Sequence, residues 1–206
     1  MLISLQIAQE HPIDGTGFSM SAAILMAWLS GGTVVGGVIA SIICRKKIEL
    51  GLIPLGAIGF TIGCIFLSFF APGSLPSNIG FGITGAFAAA YLVPLNAHLQ
   101  DNCDPSNRST VIAAGNLMDC LMGLVAVGFQ LMLRNIFSIQ NQFWVLAILG
   151  VVITIVAFRL IPREFIRMMG LWIMRIVYRS RIIHQDRIPE DGGAIIVANH
   201  VTYGDA

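Results

Sequence analysis

The chain has 206 residues, of which 56% are hydrophobic and only 11% charged, and its formal net charge is +1. Soluble domains carry about 25% charged residues, so this composition, with a mean hydropathy of +0.81, excludes an ordinary soluble domain and indicates an integral membrane protein. Nothing in the composition points to a nucleic-acid partner, and none is expected.

Five stretches are apolar and long enough to cross a bilayer, which takes about 20 residues. Charged residues or helix breakers such as proline and glycine separate them. Small residues recur within the first three, as expected for helices that pack closely in a polytopic bundle. The predicted spans are 17–44, 50–71, 79–99, 111–133 and 143–161.

The basic residues predict how these spans are oriented. Loops alternate sides, so the cluster Arg45 to Lys47, the loop at Arg108 and the tail after Arg159 fall on one side, and seven of the twelve basic residues lie between Arg159 and Arg187. Basic residues favour the cytoplasmic side. The prediction is a multi-pass membrane protein whose N-terminus lies outside the cell membrane and whose C-terminus lies in the cytoplasm.

Polar residues inside the spans are the candidates for a transport path. Asp119 is predicted about nine residues into its span, Asn116 lies one turn earlier, and Asn96 follows Pro94. A carboxylate at that depth is costly, which favours a role in substrate head-group contact or proton coupling. The alternative is a hydrogen bond between helices, or an acid that stays protonated. His98 is interpreted as an interfacial residue.

The four cysteines, Cys44, Cys64, Cys103 and Cys120, lie in or beside apolar segments without paired spacing. This pattern is typical of free thiols that pack as small apolar side chains. No metal site and no cofactor are expected.

After Pro162 the chain predicts an amphipathic helix over 162–180 in the membrane interface. Its arginines recur at multiples of four and would face lipid phosphates; they are Arg163, Arg167, Arg175 and Arg179. A core helix of a following domain with an exposed basic stripe is the alternative.

Residues 181–206 predict the start of an α/β domain, with strand-like alternation, a turn at 188–193 and a short buried strand at 194–198. His200 and Asp205 follow that strand. Histidine acts as a general base near neutral pH, and a carboxylate can orient its ring. These two residues are therefore candidates for a catalytic pair, with the lipid supplying the attacking hydroxyl.

Three runs in the apolar part resemble major facilitator transporters, and most closely bacterial lysophospholipid transporters of that superfamily. The runs are 36–56, 93–97 and 108–116. The resemblance implies that the five spans are the last five of a twelve-helix transporter. A bundle of five cannot supply both pseudo-symmetric halves of such a protein, so the chain is expected to be a fragment.

Residues 188–206, with Asn199-His200-Val201-Thr202-Tyr203-Gly204-Asp205, resemble the first block of the glycerolipid acyltransferase superfamily, which includes the 1-acylglycerol-3-phosphate acyltransferases. That similarity implies that His200 and Asp205 are the catalytic pair. It also implies that the partners are membrane lipids, a lysophospholipid, and acyl-carrier protein or acyl-CoA as acyl donor.

The two resemblances together imply a fusion of a lysophospholipid transporter (residues 1–161) with an acyltransferase that begins at 181–206. Such fusions of the bacterial inner membrane move a lysophospholipid to the inner leaflet and reacylate it, which implies a periplasmic N-terminus and a cytoplasmic C-terminus for this chain. The expected fold is thus a helical polytopic membrane part, an interfacial helix and the first strands of an α/β domain. Two alternatives stay open: an acyltransferase with a membrane anchor, and a transporter with an inert tail. The 206 residues alone are expected to be inactive.

Overall fold

The computed structural model describes residues 20–45 and 47–178, with side chains from 23 to 177 within those ranges. The described residues form six helices and no strand. They are α1 (Met20–Ile43), α2 (Leu52–Phe69), α3 (Leu75–Asp101), α4 (Arg108–Ile136), α5 (Ile139–Leu160) and α6 (Pro162–Tyr178). The chain divides after Met169 into two compact units.

Helices α1 to α5 are each long and apolar enough to cross a membrane. The number and order of the predicted spans are therefore confirmed, and the protein is a multi-pass helical membrane protein. The strands predicted over 181–206 lie outside the described residues.

The helix ends differ from the predicted span ends by several residues, because polar residues at a bilayer surface can stay helical. Helix α3 begins at Leu75 rather than 79, where Ser74 caps it by accepting a hydrogen bond from the backbone N–H of Ser77 (3.3 Å). Helix α4 extends from Arg108 to Ile136 and so includes charged residues at both ends.

Helix α3 lies at the centre of the bundle, between α1 and α2, and α2 also packs along α5. The α1–α3 contact is close because a Cβ atom on Gly32 would overlap the backbone carbonyl of Gly82, and one on Gly36 would overlap that of Ala86. Small residues spaced by four allow such an approach of two helix backbones.

A small apolar core forms near the α2–α3 loop. The rings of Phe81 and Phe143 meet edge to face at 5.9 Å between centroids, with Leu25, Leu67 and Ile139 in the same cluster. Helices α2 and α5 also meet through the hydroxyls of Thr61 and Thr154, 3.4 Å apart.

Helix α4 makes few contacts with its neighbours α3 and α5, and its side chains are mostly exposed. It is joined to α5 by only Phe137 and Ser138. Most of its length is therefore free of protein neighbours in the described part of the chain.

Candidate binding cavity

A cavity of about 470 Å³ lies among the five spanning helices. Each helix contributes to its wall: Leu29 from α1, Cys64 from α2, Thr84 from α3, Gln130 from α4 and Phe143 from α5. Its volume is in the range of small-molecule sites, about 300–1,000 Å³. The wall is apolar apart from a few groups, which suits a hydrocarbon chain.

The polar groups at this cavity come chiefly from Gln130 and Thr84. Gln130 donates through Nε2 to Oε1 of the fully buried Gln142 at 2.7 Å, and Gln142 donates in turn to the carbonyl oxygen of Phe137 at 3.0 Å. The Thr84 hydroxyl donates to the carbonyl oxygen of Gly80. The two glutamine amides thus fix the α4–α5 junction beside the cavity.

The residues predicted for the transport path lie on two different helices. Asn116 and Asp119 lie on α4 and Asn96 lies on α3, and all three are exposed. Among the described residues, no hydrogen bond joins Asn96 to either α4 residue. Their role in a transport path therefore stays a prediction.

One end of the bundle carries Arg45, Lys47, Arg163 and Arg167 and is called the basic end below. Arg167 makes the ion pairs at this end. Its guanidinium donates to Oε2 of Glu49, in the α1–α2 loop, at 2.8 Å and to Oε2 of Glu164 at 2.9 Å. Met168 is buried against Gly51. The first turns of α6 are thereby held against the α1–α2 loop, so these two segments lie at the same end of the bundle.

Arg167 differs from the other arginines that were predicted to face lipid phosphates. Arg167 has two carboxylate partners and so is not free to neutralise lipid phosphates. Arg163 and Arg175 are exposed, while Arg179 lies outside the described residues.

Local polar contacts also organise the α3–α4 loop. Arg108 donates to the carbonyl oxygen of Gln100 at 3.1 and 3.2 Å, and Asn102 contacts the ring of His98. The backbone N–H of Ser106 and its hydroxyl donate to Oδ1 of Asp104, and these two hydrogen bonds lower the pKa of that carboxyl.

His200 and Asp205 lie outside the described residues, so the geometry of the catalytic pair stays a prediction. Within the part of the chain that the structure describes, no three histidine, cysteine or acidic side chains are grouped as metal ligands would be.

Sequence reasoning missed several residues of this cavity and of the basic end. Gln130 and Gln142 could have been found, because an amide inside an apolar stretch needs a hydrogen-bond partner. Thr84, Cys64 and Phe143 carry no such signal, since only the three-dimensional packing places them at the cavity.

Comparison with models of protein families, with curated proteins and with solved structures gives no match for this chain. The class that its own structure defines is a multi-pass helical membrane protein with an apolar cavity among its spans.

Proposed function

We propose that this chain is part of a bifunctional protein of the bacterial inner membrane that moves lysophospholipid across the bilayer and reacylates it on the cytoplasmic side. The observation that carries the proposal is the cavity lined by all five spanning helices. A protein whose helices served only as an anchor would need no cavity that is shared by every span.

The chemistry of the cavity supports a single-chain amphiphile as its occupant. Leu29, Leu67, Phe81 and Phe143 provide apolar contacts, and Gln130 provides an amide. An apolar wall with a few placed polar groups is typical of sites that bind and orient a small molecule. A lysophospholipid has one acyl chain for the wall and a polar head for such groups.

The basic end supports a cytoplasmic position for the tail. Arg45, Lys47 and Arg163 lie at the end where Arg167 pairs with Glu49. An excess of basic residues favours the cytoplasmic side. The tail that follows α6 would then meet the lipid in the leaflet to which it is delivered.

In the proposed reaction, His200 removes the proton from the free hydroxyl of the lysophospholipid while that oxygen attacks the carbonyl carbon of an acyl thioester. Asp205 orients the imidazole and stabilises its charged form. The new ester bond forms as the carbon–sulfur bond breaks, and the imidazolium returns the proton to the departing thiolate. Acyl-carrier protein or acyl-CoA supplies the thioester.

The test is His200→Ala in the product of the complete reading frame, reconstituted in vesicles with labelled lysophospholipid and an acyl donor. Reacylation should fall by about 10²–10⁴-fold, because a general base contributes that much, while movement of lysophospholipid between leaflets continues. His184→Ala removes a histidine of the same tail outside the motif and serves as the control.

If His200→Ala reacylates lysophospholipid at an unchanged rate, the catalytic role is wrong. The alternative function, a transporter with an inert tail, would then be favoured. If the unaltered protein reacylates lysophospholipid but does not move it between leaflets, the helices serve only as a membrane anchor.

A further inference from the structure

The first turns of α6 are held against two other parts of the bundle. On one side the rings of Phe158 in α5 and Phe165 in α6 meet edge to face, with 4.8 Å between their centroids. On the other side Met168 is only 2% exposed, and a Cβ atom on Gly51 would lie 2.8 Å from the Cβ of Met168. Contacts with two separate elements fix the direction in which α6 leaves α5.

Arg167 adds two ion pairs of different kinds at this place. Its Nη2 atom lies 2.8 Å from Oε2 of Glu49, in the α1–α2 loop, and its Nε atom lies 2.9 Å from Oε2 of Glu164, in its own helix. Either carboxylate can balance the charge of the guanidinium, but of the two only Glu49 joins α6 to another element. Residues 49–51 and 164–168, which make these contacts, are called the clamp below.

The clamp is attached to the wall of the cavity through α2. The backbone N–H of Leu52 donates to the carbonyl oxygen of Glu49 at 3.1 Å, so the clamp continues directly into the first turn of α2. Further along the same helix, Phe60 and Leu67 line the cavity. They lie 8 and 15 residues after Leu52, or roughly 12 and 22 Å along the helix axis. One helix therefore connects the cavity with the start of α6.

The chain does not need the clamp to keep its tail attached. Ile161 links α5 to α6 covalently, and so connects every later residue to the membrane part. A buried side chain and an ion pair between residues 118 positions apart therefore set the orientation of α6 rather than its attachment. Orientation matters for a transfer between two sites, because the effective concentration of a tethered partner depends on whether the tether lets the two sites meet.

We propose that Glu49 and Arg167 are positioning residues for reacylation, and that they let lysophospholipid pass from the bundle to the tail before it mixes with the leaflet. Lipid that moves from the cavity toward the basic end leaves the bundle at the end where the clamp holds α6. Neither residue touches the reacting atoms, and both act through the placement of the helix that leads to His200. This inference rests on the proposed function and adds to it a direct transfer between the two activities.

The test is a competition between two pools of lipid in vesicles that contain the full-length protein. The probe is an equal mixture of lysophosphatidylethanolamine and lysophosphatidylglycerol. Palmitoyl acyl-carrier protein and palmitoyl-CoA are trapped inside, so that only molecules with an inward tail react. Unlabelled probe is loaded in the inner leaflet, and the same probe with a radioactive label is added outside. The measurement is the labelled fraction of the acylated product divided by the labelled fraction of the inner-leaflet probe.

Direct transfer should give the unaltered protein a ratio of about ten or more, since a positioned tail meets arriving lipid at a much higher effective concentration than dispersed lipid. Glu49→Arg places two like charges together in the clamp and should remove this preference, so that product and pool carry the same labelled fraction. Both pools are acylated by the same molecules in one vesicle. The ratio therefore does not depend on how much protein folds or how fast it works, and a loss of stability alone leaves it unchanged.

Two further variants separate position from charge. Glu164→Gln removes the other carboxylate partner of Arg167 but leaves the contact with Glu49, so the preference for labelled lipid should persist. The double variant Glu49→Arg with Arg167→Glu exchanges the charges of the pair, and the preference should return because opposite charges face each other again.

The inference is overturned if the unaltered protein acylates both pools without preference, or if Glu49→Arg keeps the preference. It is also overturned if Glu164→Gln removes the preference as completely as Glu49→Arg does, or if the exchanged pair does not restore it, because the contact across to the loop would then have no special role. Each of these results leaves the proposed function standing, since labelled lipid is still moved and acylated. An unaltered protein that acylates no labelled probe overturns both.

Discussion

Helices α3 and α4 follow each other in the chain and have 27 and 29 residues, yet their surroundings are opposite. Helix α3 is enclosed by α1 and α2, and side chains or backbone atoms fill the space beside Gly80, Gly82 and Gly85. Helix α4 has glycines at Gly115, Gly123 and Gly128 with nothing within 4 Å of the position where a Cβ would be.

Small residues thus permit close packing but do not produce it. In α3 they face a partner helix that also carries small residues, and the two backbones meet. In α4 they face open space in the described structure, while the helix is held at its C-terminal end by Gln130 and Gln142. The two helices differ in whether a complementary surface lies opposite their glycines. The first of three comparisons of matched variants tests this difference directly, and the other two test contacts between the packed segments.

The largest effect is expected at Gly32. Gly32→Ala places a methyl group against the carbonyl of Gly82 on a rigid backbone, and overpacking of this kind costs about 3 kcal/mol. Gly123→Ala in α4 meets nothing and should change stability by less than about 0.5 kcal/mol. Thermal unfolding in detergent measures both, and similar losses in the two variants would show that α4 is packed in solution.

A smaller effect is expected where Arg167 joins α6 to the α1–α2 loop. Glu49→Gln removes one carboxylate from a pair whose side chains are 21% and 37% exposed, so solvent screening limits the loss to about 1 kcal/mol. In a protein of this size that corresponds to a melting temperature lower by about 2–4 °C.

Arg163→Gln is the control for that pair, because it removes an exposed charge on the same helix that has no carboxylate partner among the described residues. Equal melting temperatures for Glu49→Gln and Arg163→Gln would mean that the Arg167 contact adds no stability.

The smallest effect is expected at Thr61. Thr61→Val keeps the shape but removes a hydroxyl that donates to the carbonyl of Ala57 in its own helix and lies 3.4 Å from the hydroxyl of Thr154 across the α2–α5 interface. The part of the loss that comes from the contact between helices should stay below the value of about 0.6 kcal/mol for a hydrogen bond between membrane helices. Thr33→Val removes a hydroxyl that bonds only to its own helix, at the carbonyl of Leu29. Chemical denaturation should show a larger loss for Thr61→Val, and the reverse order would place the stabilisation within the helices.

The sequence was sufficient for the five spans because hydrophobic length alone identifies a membrane helix. It was not sufficient for their neighbours: α1 packs on α3 rather than mainly on α2, and this depends on Gly32 and Gly36 meeting small residues 50 positions later. The helix ends were also not predicted from hydropathy. Helix α3, for example, begins after Ser74 because that side chain caps it through a local hydrogen bond.

The candidate site was predictable only in part. Asp119 and Asn116 stay predictions from their polarity at depth and do not line the cavity, whose residues from α1, α2 and α5 are ordinary apolar side chains. Glu49 and Arg167 are 118 positions apart, and nothing in their spacing indicates that they form a pair.

The two-residue connection between α4 and α5 and the Gln130–Gln142 hydrogen bond hold α4 at its C-terminal end, so any tilt of α4 would turn about this junction. Asp119 lies 17 residues from Ile136, or roughly 25 Å from that junction, whereas Gln130 lies only about 9 Å from it. A tilt of about 10° would therefore carry Asp119 through about 4 Å while displacing Gln130 by less than half as much. A small rocking motion of this single helix would therefore move its N-terminal half much further than the residues that line the cavity.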